Sequence, residues 1–190
     1  MAMNVAGVDK SGALIVLASS ELYGLQQESS SKNAKLLSAI ERVSDVVDND
    51  AIWVDDRGGD RKSLMSPLLS AGRQFIIRQV GNRDLYVNGV KQPLKAVSRT
   101  VKLTTTYQVT KTMHNKKVRE TYRCGAVKVK LTETGEDLWL VVLKEQRKGY
   151  CWLLCHLNQM CKDTADRYGF CRLWASLENR GGPSSGESRL

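Results

Sequence analysis

Residues 53–61 read Trp-Val-Asp-Asp-Arg-Gly-Gly-Asp-Arg, and they gather the groups that phosphate chemistry on a polyanion uses. Asp55 and Asp56 offer hard oxygen donors, the kind that Mg²⁺ and Mn²⁺ select. Arg57 offers a fork that matches a phosphate, and Gly58 and Gly59 let a ligand backbone approach closely. Phosphoryl transfer on nucleic acid needs an activated oxygen nucleophile and a stabilised leaving oxygen. Two divalent ions about 3.5–4 Å apart supply both. One aspartate can bridge the ions, but other carboxylates must complete each shell. Asp56, the last acid before Arg57-Gly58, is the better candidate ligand and catalytic carboxylate. The plain alternative is that Asp55 and Asp56 are solvated loop acids. In either case Asp60 reads as the N-cap of the helix that follows.

The elements that must position this motif follow from the flanking pattern. Gly12–Ser19 contains Ala-Leu-Ile-Val-Leu-Ala, which predicts a buried strand too short for a helix. Ser29, Ser30 and Ser31 offer helix caps. Leu36, Leu37, Ile40, Val43 and Val47 then recur at helical spacing, with Lys35, Glu41, Arg42 and Asp45 on the other face. An amphipathic helix is expected over 32–47, and Ala51–Val54 is the next strand. Strand, helix, strand predicts a right-handed crossover with parallel pairing. Ligands of such sheets sit beyond the carboxyl ends of the strands, where Asp55 and Asp56 fall. A second helix over about 61–71 turns Leu64, Leu68 and Leu69 inward, and Phe75–Arg78 is a third strand.

Beyond residue 83 the pattern turns β-rich and basic. Leu85–Val90 reads as a hairpin edge. Ala96–Val109, Tyr122–Leu131 and Leu138–Leu143 predict strands, and Thr134–Asp137 a turn. Residues 91–130 carry eleven Lys and Arg against one acid, Glu120, a net of +10 that exceeds the +9 of the whole 190-residue chain. Charge so concentrated points to a polyanion-binding surface, and its plain alternative is a solvated face. The aromatics near these strands are Tyr107, Tyr122 and Trp139. Gly149–Cys161 is apolar and reads as a helix, and residues 167–190 as a disordered tail. Cys151, Cys155 and Cys161, with His156 among them, lack zinc-site spacing, and the cysteines read as packed thiols, expected to be reduced in a cytoplasmic protein. The apolar run Ala13–Ala18 is too short for a signal core or a membrane span.

The order Asp55-Asp56-Arg57-Gly58, then Phe75-Ile76-Ile77-Arg78, then Gly81-Asn82-Arg83-Asp84-Leu85, with Ser31-Lys32-Asn33 opening the first helix, resembles the cut-and-paste DDE transposases of bacterial insertion sequences. The likeness covers roughly residues 12–165. It implies an α/β fold, a partial ribonuclease-H-like mixed sheet with a β-rich insertion. Residues 1–83 would be partial core, 84–146 insertion, 147–166 a return to the core and 167–190 tail. It implies Asp56 as the second catalytic aspartate and a metal ligand, with a pair of Mg²⁺ or Mn²⁺ ions as cofactor in the intact family member. Transposon ends and target DNA would be the partners, with no membrane, a place at the nucleoid, and pairing with a further copy or with intact transposase. The DNA contacts expected are Arg57, Arg61, Lys62, Arg78, Arg83, Lys116, Lys117, Arg119, Arg123, Lys128 and Lys130.

Two departures accompany the likeness. The family's first catalytic aspartate precedes the strand read at Gly12–Ser19, and the chain is expected to begin after it. The third acid belongs to a helix patterned Tyr-x-x-Arg-x-x-x-Glu-x-x-x-x-x-x-Lys, which the tail lacks. Back-translated with permitted codons and read one nucleotide later, Tyr168–Leu190 yields MDFAGYGLRWKIEEVHRQVKAD, which restores that spacing. A frameshift near 163–167 is therefore expected to have replaced the catalytic helix, leaving one of three carboxylates and no catalysis alone. Two other readings stay open: a non-enzymatic nucleic-acid-binding module built on residues 84–143, and another metal-dependent nuclease of the same fold class.

Overall fold

A computed structural model of the chain describes residues 5–8, 14–18, 32–47, 51–113, 116–145 and 149–158. In chain order its elements are β1 (Val5–Val8), β2 (Leu14–Ala18), α1 (Lys32–Ser44), β3 (Ile52–Asp55), α2 (Lys62–Ser70), β4 (Gln74–Arg78), β5 (Asp84–Val87), β6 (Val90–Pro93), α3 (Leu94–Thr100), β7 (Thr105–Met113), β8 (Lys116–Val129), β9 (Leu138–Glu145) and β10 (Gly149–His156). A single 3₁₀ turn, Arg57–Gly59, lies between β3 and α2. Ser29–Ser31, Cys161 and the tail with its shifted-frame reading lie outside the described residues.

Six strands form one sheet in the order β3-β4-β10-β9-β8-β7. β3 and β4 run parallel with Asp55 opposite Ile77, and α2 lies between them in the chain. Every other neighbouring pair is antiparallel. The chain is thus a mixed α/β protein built on a mixed sheet. The expected parallel partner differs. β2 was predicted to pair with the acidic strand across α1, but it pairs antiparallel with β1. The five-residue connection 9–13 permits a hairpin and not a crossover. β9, β8 and β7, which fall in the expected insertion 84–146, continue the sheet of β3 and β4 through β10.

Two predicted elements change type. The stretch expected to be a strand from Ala96 begins instead with α3, where Leu94, Val97 and Ser98 are buried at helical spacing behind Pro93. Gly149–Cys161, expected to be helical, forms β10, which is paired on both edges. Its continuous apolar run has a simple cause. On one face of the sheet Trp53, Phe75, Ile77, Leu140, Val142 and Leu154 pack with Ile40 of α1, Leu64, Met65 and Leu68 of α2, and Leu94 and Val97 of α3. On the other face Ile76, Tyr122, Cys124, Val141, Leu143, Leu153 and Cys155 form a second cluster. A strand buried on both faces loses its alternation, so periodicity cannot tell it from a buried helix.

Between β5 and β6 the Asn88-Gly89 pair takes positive φ at both positions, 50° and 79°, as a two-residue turn with the strand twist requires.

Candidate functional site

β3 and β4 end side by side, and the charged residues of the motif divide between the two faces that the strands define. Asp55 points with Trp53 toward the helix-covered face. It is half-buried, and burial pushes its pKa above the ordinary carboxylate value. A backbone hydrogen bond from Asp56 and the charge of Arg61 pull the other way. Gly59 comes back against this carboxylate so closely that a Cβ there would stand 2.7 Å from Asp55 Oδ2.

Asp56 points to the opposite face. Its side chain is 67% exposed, and Arg78 Nη1 lies 3.4 Å from its Oδ1. The 3₁₀ turn begins directly after it, with Gly59 N donating to the Asp56 carbonyl at 2.7 Å. Strand pairing and turn together leave the carboxylate standing at the sheet's end, open to solvent and beside one guanidinium.

Asp60 has a different place from the one its position in sequence implies. Arg61, extended and with no side-chain cap bond, occupies the N-cap position of α2. Asp60 is 1% exposed at its side chain. Its Oδ1 accepts from Arg83 Nε at 3.1 Å and Nη2 at 2.6 Å, and its Oδ2 accepts from Val80 N at 2.7 Å. The expected cap is therefore a clip that ties the loop after β3 to the loop after β4. Those bonds satisfy a carboxylate that burial would otherwise penalise.

Of the cations expected near DNA, Arg78 and Arg83 are thus brought to the strand ends and paired with Asp56 and Asp60. Arg57 and Lys62 are exposed beside them. Arg61 is half-buried, and its Nε has no hydrogen-bond partner among the described residues. A hard divalent ion needs several oxygens, yet Asp55 faces away and Asp60 is saturated. Among the described residues no group of three or more His, Cys, Asp or Glu is placed to hold a metal ion. The described residues alone do not fit the expected two-metal site.

The insertion's cations separate by face as well. Register places Thr106, Arg123, Lys144 and Tyr150 in one row across β7, β8, β9 and β10. All four are exposed. Arg123 Nη2 donates to the Leu103 carbonyl at 3.0 Å, and Lys144 Nζ lies 5.4 Å from the centre of the Tyr150 ring. Strand alternation adds Arg119 and Lys117 to this face. Glu120 and Glu145 fall on the other, where Tyr122 is buried and donates its hydroxyl to Glu120 at 2.6 Å. Lys128 lies 3.7 Å and Lys130 3.8 Å from Asp137, with Lys128 also 5.7 Å from the Trp139 ring. The Lys116 side chain is outside the described set. Lys144 and Tyr150 lie beyond the basic run 91–130, and the apolar pattern of Gly149–Cys161, which predicts a helix, hides the strand that carries Tyr150.

Cys155 lies wholly inside the second cluster, where burial pushes its thiol pKa far up, and Cys151 packs beside that cluster. No described helix is long and apolar enough to cross a membrane. Set against known proteins, the chain matches no protein-family model and no curated sequence.

Proposed function

We propose that this chain is the core of a DNA strand-transfer protein of the DDE transposase type, ribonuclease-H-like in fold, with a basic β insertion that holds DNA. The observation that supports it best is the exposed Asp56 carboxylate at the joint carboxyl end of the parallel pair β3–β4, with Arg78 3.4 Å away. An aspartate at that end of a parallel pair, beside a guanidinium that can pass to a phosphate, suits a site where DNA backbone meets a hard cation. Mg²⁺ or Mn²⁺ is the cation the resemblance implies, and it would supply charge neutralisation at the transferring phosphate. Asp56 is the one exposed carboxylate that the described residues bring to the ends of β3 and β4, and it is one of the three that the resemblance calls for; inactivity of the chain alone in strand cleavage is part of this proposal. Association with DNA, with intact transposase and with the nucleoid belongs to the same proposal.

A plasmid-nicking assay with Mg²⁺ or Mn²⁺ is expected to give no cleavage. Nicking that Asp56→Ala abolishes overturns the proposed inactivity. Absence of binding to any DNA at low salt overturns the strand-transfer reading altogether. The gene's codons over 168–190 test the shifted-frame account of the tail. A codon there that cannot yield the restored pattern one nucleotide later rules that account out.

A second reading, a binding module with no chemistry, is favoured by one observation. Lys117, Arg119, Arg123 and Lys144 share a sheet face while Glu120 and Glu145 occupy the reverse of the same strands. Such segregation serves phosphate contacts with or without a metal.

A further inference from the structure

We propose that the row Thr106–Arg123–Lys144–Tyr150 is a platform for single-stranded nucleic acid, on which Tyr150 stacks a base while Lys144, Arg123 and Arg119 hold the flanking phosphates. It rests on the nucleic-acid part of the reading above and not on the metal chemistry.

Three observations carry it. Tyr150 is 51% exposed, although β10 also holds Leu153, Leu154 and Cys155 with no exposure at all. A ring so placed, steadied by a cation 5.4 Å from its centre, presents a π surface to solvent. The positions sharing its face offer cations and hydroxyls: Arg119, Thr121 and Arg123 on β8, Thr106 and Thr110 on β7, Lys144 on β9. The acids of these strands, Glu120 and Glu145, are on the reverse.

A duplex hides its base faces in the stack, so an exposed aromatic beside phosphate-binding cations finds its partner in an unpaired strand. Stacking of that kind tolerates any base. The platform also stands at the right end of the sheet. Asp56 is level with Arg78, Arg78 pairs with Leu153, and Tyr150 lies three residues further out on β10. Two strand spacings and three residues separate Tyr150 from Asp56, which is about 14 Å on a flat sheet. The two groups face opposite sides of that end, so a strand that rounds it meets both.

The test is fluorescence anisotropy of the full chain, without metal, against labelled oligothymidylate and a duplex of equal length. Tyr150→Ala is expected to weaken the single strand by roughly 5- to 150-fold. It should leave duplex binding within about two-fold and the single-strand salt slope unchanged. Tyr150→Phe restores single-strand affinity. Lys144→Gln lowers the salt slope by about 0.7. Melting curves of the variants, all at exposed positions, confirm that each is folded. Equal loss on duplex and single strand for Tyr150→Ala, or no loss on either, overturns the platform. If DNA still binds but Tyr150→Ala shows no selective loss on the single strand, the platform falls and the strand-transfer reading stands; plasmid nicking that overturns the proposed inactivity leaves the platform untouched, and absence of all DNA binding overturns both.

Discussion

Asp55, Asp56 and Asp60 fall within six positions of sequence, and chemistry alone cannot rank them. Environment does. Asp55 is turned toward the helices and desolvated, Asp56 is exposed, and Asp60 is fixed by three hydrogen bonds. The raised pKa of Asp55 has a definite sign. A folded value above the unfolded one means the native state holds the proton more tightly, so stability falls as pH rises through that window. Asp55→Asn keeps an oxygen for the Asp56 backbone bond and removes the buried charge. It is expected to raise the melting temperature at pH ~7 and to change it little at pH ~3, below the ordinary carboxylate range. Equal shifts at both pH values would show that the charge is not the cause. The clip at Asp60 could not be read from sequence. An Asp just before a helix predicts a cap, and its real partners, Val80 and Arg83, lie 20 and 23 residues away.

At the scale of elements, the turn after β3 depends on close approach. A Cβ on Gly59 would meet the Oδ2, Cβ and Cγ of Asp55 at 2.7–2.8 Å, while one on Gly58 would meet nothing within 4 Å. Gly59→Ala is expected to cost about 1–3 kcal/mol, as forced overpacking does. Gly58→Ala should stay within about 0.5 kcal/mol. Urea midpoints of the two variants make the comparison, and equal midpoints would contradict the packing described. The segment before β7 crosses β8 in the same intimate way, since a Cβ on Gly125 would run into the Lys102 carbonyl. Much of this was legible. The spacing Leu36, Leu37, Ile40, Val43 gave α1, the apolar runs gave β3 and β4, and Leu85–Val90 gave a hairpin edge. α3 and β10 were not legible, because a seven-residue helix is shorter than its own periodic signal and a doubly buried strand has no alternation. Pairing choice was equally hidden, since β2 and β4 are both apolar strands reached from β3 across a helix.

For the whole molecule, the distribution of charge matters more than its sum. Lys117, Arg119, Arg123 and Lys144 on one face can neutralise four phosphates. Four such contacts predict a loss of roughly 150-fold in duplex affinity between ~50 and ~200 mM salt. A flat salt response would remove the face from consideration as a phosphate surface. The ladder of that face also has an uneven width. β8 and β9 part company after Tyr122 and Glu145, whereas β7 and β8 stay paired for six further positions, to Met113 and Lys116. Among the described residues that leaves a two-stranded ribbon about 20 Å long reaching past the strand ends. A ribbon without a third strand is marginal in water. Its amide protons should therefore exchange with solvent well ahead of those in β9 and β10. A nucleic acid laid along it would slow that exchange, and part of the contact energy would go into stiffening the ribbon. Such a partner would first be seen as a change in the timing of amide exchange rather than in the shape of the sheet.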